Sequence, residues 1–221
     1  MPTILITGGS RGIGRALVQD YAAHGWDVIA TARSEDDLAE LNAMDKVEAL
    51  ELDVGEDESI DRFVEQLGDR PIDLFLNNAG IASIDADDRA GFLKTLEINA
   101  VAPTMLARRL KDHVAQSDQK KMAVVTSRMG SIGDNDGGGY IPYRASKAAV
   151  NAAWKSLAID MKPDGIAIAM LHPGHVKTDM GGSGAPVTPA DSASGLRKQI
   201  DETNLSNSGR FVGYDGAAIE W

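Results

Sequence analysis

The stretch Thr3-Ile4-Leu5-Ile6-Thr7-Gly8-Gly9-Ser10-Arg11-Gly12-Ile13-Gly14 carries a short apolar run through glycines directly into an amphipathic segment. Ile4, Leu5 and Ile6 read as a strand buried on both faces. The segment from Arg15 to His24 puts Leu17, Val18 and Tyr21 at helical spacing before Gly25 stops it. Glycines at 8, 12 and 14 let the backbone turn sharply, admit a close ligand and bring helix against strand. The helix start offers unpaired N–H groups and a partial positive charge, which suit a pyrophosphate. The spacing is Gly-x-x-x-Gly-x-Gly and not the Gly-x-Gly-x-x-Gly of the standard dinucleotide fingerprint, so a merely tight turn has to be weighed against the remaining chain.

Outward from this turn, Asp27 to Ala32 reads as a second strand, Val47 to Leu52 as a third and Ile72 to Leu76 as a fourth. Met122 to Thr126, Ile166 to Leu171 and a weaker piece near Phe211-Val212 follow. Between them lie helices: one capped by Ser34, one carrying Ile60, Phe63, Val64 and Leu67, and a long region from Phe92 to His113 with Pro103 at a start or a break. The last runs from Tyr143 to Met161. Almost continuously apolar strands alternating with helices predict a doubly wound Rossmann fold, α/β, with a mostly parallel sheet of about seven strands covered on both faces. No repeat or linker divides residues 1–221, which are expected to form one domain.

Composition narrows the function. The 221 residues carry a net charge of -11, which disfavours a nucleic-acid partner, because a polyanion needs a basic surface. There is no cysteine, hence no disulfide and no thiolate site. The chain has no membrane-length apolar run and no basic leader, so a cytoplasmic protein without a membrane partner is expected. The four histidines lack ligand spacing, and Asp134-Asn135-Asp136-Gly137 is only half a calcium loop, with Gly138 and Ala145 where ligands belong. No metal is expected.

In a doubly wound sheet, ligands bind where the strands end. Here the strand ends deliver the glycine turn, Arg33, Asp53, Asn77-Asn78-Ala79-Gly80, Ser127 and Pro173-Gly174. Tyr143 and Lys147 stand four apart, one turn from each other on a helix, where an ammonium would favour the phenolate and depress the tyrosine pKa. A phenol tuned in this way is a general acid or base. Tyr140 is a poorer candidate, since its fourth successor is Arg144, whose guanidinium hardly deprotonates.

Thr7-Gly-x-x-x-Gly12-x-Gly14, Asn77-Asn78-Ala79-Gly80, Asn99, Ser127, Tyr143-x-x-x-Lys147, Pro173-Gly174 and Thr178 occur in the order of the classical short-chain dehydrogenase/reductase family, which the chain resembles over essentially its whole length. The resemblance implies hydride transfer between a nicotinamide and a ketone, aldehyde or alcohol. Tyr143 would be the general acid/base, Ser127 would hold the carbonyl oxygen, and Lys147 would hold the nicotinamide ribose. Asn99 would hold a water in a proton relay. Ser131 competes with Ser127, but Ser127 followed by Gly130 is the family's pattern. The loop from Asp134 to Gly139 makes the gap between Ser127 and Tyr143 longer than the family's usual one.

The resemblance also implies cofactor contacts from Gly8, Ser10, Arg11, Gly12, Ile13, Gly14, Asp53, Val54, Asn78, Ala79, Gly80, Pro173, Gly174, Val176 and Thr178. NADP(H) is favoured over NAD(H), and reduction over oxidation. Ala32 stands where an acid would bind a ribose 2′-hydroxyl, and Arg11 and Arg33 flank a place for a 2′-phosphate. Segment 180–191 is expected to be the substrate lid. The helix from Tyr143 to Met161 is apolar on more than one side, which a wide core face explains as well as a second subunit does; the resemblance, to a family that pairs through this helix, implies a homodimer or homotetramer. The loop after Ser127 and the ending from Gly209 to Trp221 are similar to the C-factor and sniffer-type carbonyl reductases. Because that subgroup includes a developmental factor, a non-catalytic NADP(H)-binding signalling role is the alternative.

Overall fold

In the computed structural model, which describes residues 1–83 and 85–221, strands and helices alternate along the chain. The first half comprises β1 (Thr3–Ile6), α1 (Gly12–Ala23), β2 (Asp27–Ala32), α2 (Glu35–Asn42), β3 (Val47–Glu51), α3 (Asp57–Leu67) and β4 (Leu74–Asn77). The second comprises α4 (Arg89–Leu96), a π-helical turn (Glu97–Val101), α5 (Ala102–Arg109), α6 (Lys111–Ala115) and β5 (Lys121–Val125). It continues through α7 (Ile141–Asp160), β6 (Ala167–His172), α8 (Pro189–Asp201) and β7 (Arg210–Gly213).

The strands form one sheet in the order β3-β2-β1-β4-β5-β6-β7. Every neighbouring pair is parallel, so the mostly parallel sheet expected above is wholly parallel. The order reverses at β1, whose Leu5 pairs with Ile29 on one side and Phe75 on the other. At such a switch point the connections leave toward opposite faces and open a crevice at the carboxyl ends of the strands. Alternation along β1 feeds two cores. Leu5 joins Phe63, Leu106 and Trp154 on one face, whereas Ile4 and Ile6 join Leu17, Tyr21 and Leu196 on the other. All of these are fully buried, each contributing about 1.5–3 kcal/mol if an aliphatic or Phe side chain.

The start of β4 differs from the sequence reading, and the break expected near Pro103 is present. Ile72 is buried yet precedes β4, because its N–H goes to the His113 carbonyl instead of the ladder. The long helix from 92 to 113 is interrupted by the π-helical turn, and Pro103 enters the first turn of α5. Pro103 has no N–H for the carbonyl of Asn99 four residues back, which is where a regular helix has to break. The Thr188 side chain accepts the Asp191 N–H and caps α8, so the last residues of segment 180–191 are helical.

Candidate active site

The glycine turn lies at the switch point and is locked from β4. The Thr7 hydroxyl donates to Asn77 Oδ1 (3.1 Å) and accepts the N–H groups of Asn78 (3.0 Å) and Ala79 (3.1 Å). Asn78 Nδ2 returns hydrogen bonds to the carbonyls of Thr7 (3.1 Å) and Gly8 (3.0 Å). Gly8 and Gly12 have φ of 67° and 55°. A methyl group on Gly14 would collide with the Gly8 carbonyl oxygen and stand 2.6 Å from Asn78 Nδ2. Asn78 and Ala79, read as cofactor contacts, are therefore also the support that shapes the turn.

The α1 start fits a pyrophosphate. Arg11 occupies the cap position without capping the helix through its side chain, and the first turn holds no acid, so its N–H groups and the macrodipole face the crevice. A methyl group on Gly12 would touch Thr178 Cγ2 at 3.3 Å, which brings Thr178 against the turn. Ser10 and Ile13 complete this corner; the Ser10 carbonyl receives Arg15 Nη1 at 3.5 Å, and Ile13 packs on the core under α1. Arg11 and Arg33 stand at the rim but each faces an acid, Asp179 at 3.7 Å and Asp53 at 3.8 Å. All four are exposed or half-exposed, so these contacts are weak. Asp53 also accepts the Gly55 N–H (2.9 Å), and Val54 packs partly against the core.

Beyond the turn, Ser127, Asn99, Tyr143 and Lys147 come together. Ser127 ends the extended chain after β5 and caps the short 3-10 turn Arg128–Gly130 through Met129 N–H (3.1 Å). That turn presses on α7 so closely that a methyl on Gly130 would meet the Lys147 backbone at 2.7 Å, which places Ser127 beside Tyr143. Lys147 Nζ donates to the Val125 carbonyl (3.0 Å) and lies 5.7 Å from the Tyr143 ring centroid. Asn99, on the π-helical turn, accepts the Ile81 N–H (2.9 Å) and donates to the Ile81 carbonyl (2.8 Å) and Ser146 Oγ (3.0 Å). A methyl on Gly80 would lie 3.1 Å from Asn99 Oδ1 and 3.7 Å from Lys147 Nζ, so Gly80 keeps that corner open. Tyr140 stands apart at the α7 start, 54% exposed with left-handed backbone.

The electrostatics correct one expectation. Burial pushes the Tyr143 hydroxyl above its ordinary value, with the Ser127 hydroxyl opposing it, instead of the depression expected from Lys147. Burial also pulls the Lys147 amine down to about 8, so the lysine pays for the same dry environment.

Pro173, Gly174 and Val176 follow the end of β6 at the carboxyl edge of the sheet. Gly174 has φ 87°, and Val176 bridges to Val187. Three residues escaped the sequence reading. The Ser146 hydroxyl ties Asn99 to the Tyr143 carbonyl (2.8 Å), and its position three after Tyr143 was the available signal. The Thr7 hydroxyl is the joint of the turn, although only its place in the motif was read. His172, at the end of β6, is held down to about 4 by burial and by Arg128; nothing in its local sequence announces this.

Together these features define an α/β protein with a turn suited to a pyrophosphate at the switch point and a tyrosine, a serine and a lysine beside it. The model of the short chain dehydrogenase family matches residues 2–186, and the chain belongs to that family. It is 39% identical over 155 residues to the C-signal of Myxococcus xanthus, covering 68% of this chain and 93% of that protein. Two solved structures are similar throughout. The carbonyl reductase Sniffer of D. melanogaster superposes with a TM-score of 0.89 at 34% identity, covering 100% of both chains. The NADPH-bound carbonyl reductase from chicken fatty liver gives 0.92 at 28%, covering 100% of this chain and 99% of the other.

Proposed function

We propose that this oxidoreductase reduces ketones or aldehydes with NADPH, with Tyr143 as the general acid. The observation that carries this reading is the meeting of Ser127, Tyr143 and Lys147 at the sheet's carboxyl edge, next to a glycine turn suited to pyrophosphate. When bound, the reduced nicotinamide supplies a hydride to the carbonyl carbon. The chain's own part is at the oxygen. Ser127 Oγ–H and the Tyr143 hydroxyl converge there, and the tyrosine gives up its proton as negative charge develops. Burial, which raises the Tyr143 pKa, keeps that proton in place at neutral pH, as reduction requires. Lys147 restores it, with an amine near 8 that can release a proton close to neutrality, and Asn99 and Ser146 hold the surrounding backbone.

NADPH is favoured over NADH by Arg11, Arg33 and the buried Ala32, and by the NADPH carried by the chicken enzyme. A cytoplasmic site of action belongs to the same reading, to be checked by cell fractionation; among the described residues no helix is long and apolar enough to cross a membrane.

The test is NADPH and NADH oxidation by the purified protein against ketones, aldehydes and diones, with Tyr143→Phe alongside. NADPH turnover that falls at least about a thousandfold in the variant, with NADPH binding retained, supports the reading. Tight NADPH binding without turnover of any carbonyl supports the second reading instead, an NADP(H)-binding signalling protein, which rests on the 39% identity to C-signal.

A further inference from the structure

The chain from Ser127 to Tyr143 makes an excursion across 131–139 that contains no strand and no α-helix. It holds its own shape: Ser131 Oγ accepts the Asp134 N–H (3.0 Å), Asn135 Oδ1 accepts the Gly138 N–H (3.0 Å), and Arg128 reaches Asp134 at 3.5 Å. Ser127 is seated by the 128–130 turn on α7, and the 131–139 unit that continues from that turn has two further attachments. One attachment is to α7, where Arg144 Nε donates to the Gly138 carbonyl (3.2 Å). The other is far away in sequence. The Gly133 N–H donates to the Trp221 carbonyl oxygen (2.9 Å), and the Glu220 side chain lies across Gly133, where a methyl would meet its Cδ at 2.7 Å.

The chain that brings Trp221 there folds back along β7. The Gly213 N–H donates to the Ala217 carbonyl (2.8 Å), Val212 bridges antiparallel to Ala218, and the Ile219 N–H donates to the Phe211 carbonyl (3.0 Å). The Trp221 ring then rests on Phe211, with centroids 5.6 Å apart, and beneath Lys155 Nζ at 5.8 Å. It is 46% exposed, so its remaining half is spent on this seat.

We propose that Trp221 is a positioning residue for the active site. Seated on Phe211 and Lys155, it fixes the backbone that holds Gly133, and through the 131–139 unit it sets the face that Ser127 offers to a carbonyl substrate. The ring fixes the loop and touches neither cofactor nor reacting atoms. Its loss widens the substrate mouth and leaves the nucleotide site, at the switch point, unchanged. The kinetic half of this inference rests on the reductase reading; the structural half does not.

The experiment compares Trp221→Ala and Trp221→Phe with the full wild-type chain by hydrogen exchange and by kinetics. In Trp221→Ala, amide exchange accelerates about tenfold or more across 131–139, Gly133 included, while β4, β5 and α1 keep their protection. KM for the carbonyl rises about fivefold, with kcat changed less and NADPH affinity unchanged. Trp221→Phe, which keeps an aromatic seat on Phe211, restores both. Unchanged exchange across 131–139, or acceleration spread over the whole sheet, overturns the proposal, as does a loss of NADPH affinity equal to the loss in KM. A wild-type protein that reduces no carbonyl defeats the reductase reading alone, and the exchange comparison then decides the role of Trp221.

Discussion

Tyr143 and Lys147 sit one helical turn apart in the same dry pocket, and burial pushes both toward their uncharged forms. For Lys147 this has a thermodynamic consequence with a definite sign. Below about pH 8 the amine is charged in both folded and unfolded chains, and the folded state bears the full cost of burying it. Between about 8 and the ordinary 10.5 the folded state sheds the proton while the unfolded chain keeps it, so stability rises with pH. Relative to Lys147→Met, the wild type should gain up to about 3 kcal/mol across that window, an upper figure for a single proton. Denaturant unfolding of both proteins from pH 7 to 10 checks this; a constant difference would place the amine in water. The Tyr143–Lys147 pairing was legible from spacing. The sign of the tyrosine shift was not, because spacing says which groups are near and nothing about how much water surrounds them.

Among the elements, β1 and the turn into α1 were readable almost residue by residue. Apolar runs, helical spacing and glycines act locally, and β2 likewise falls on Asp27–Ala32 as expected. The break near Pro103 was readable too, since a missing N–H interrupts any helix. That it takes the form of a π-helical turn presenting Asn99 to Ile81 and Ser146 depends on partners 18 and 47 residues away. The closeness of α1 to β4 yields a sharp test. Gly14→Ala puts a methyl against the Gly8 carbonyl and Asn78, and should cost about 3 kcal/mol of stability and at least about tenfold in NADPH affinity. Gly137→Ala, with nothing within 4 Å, should leave both nearly unchanged. Chemical unfolding and a fluorescence titration with NADPH measure the two effects, and equal behaviour of the two variants would refute the packing argument.

For the whole molecule, one stripe of α7, Val150, Trp154 and Leu157, lies in the core, whereas the alanine stripe beside it stays partly open and Ala152 is exposed. Leu93 on α4, Val101 on the π-helical turn and Met105 on α5 are 49, 56 and 51% exposed, with Ile159 of α7 at 65%. Large apolar residues exposed together mark an interface, and we propose that this face joins two copies of the chain. Met105→Glu should then shift the protein to monomer at micromolar concentration while leaving its unfolding midpoint, measured as monomer, nearly unchanged. Light scattering coupled to size exclusion decides it, and a wild type that is already monomeric removes the proposal.

What the amino-acid order determined by itself was local: alternating strands and helices, the phosphate-type turn, the tyrosine-lysine turn of α7, and through their order the family. Apolar periodicity, glycine freedom and proline's missing donor all act within a few residues, so they survive in a linear reading. What only the tertiary structure decided was every quantity set by distant neighbours. Those are the direction of the Tyr143 shift, the β4 lock on the glycine turn through Thr7 and Asn78, the Ser146 link to Asn99, and the seat of Trp221 that reaches Gly133. Each depends on burial or on a hydrogen bond closing a long loop, and the energy of such contacts exists only once the sheet has brought the two ends together.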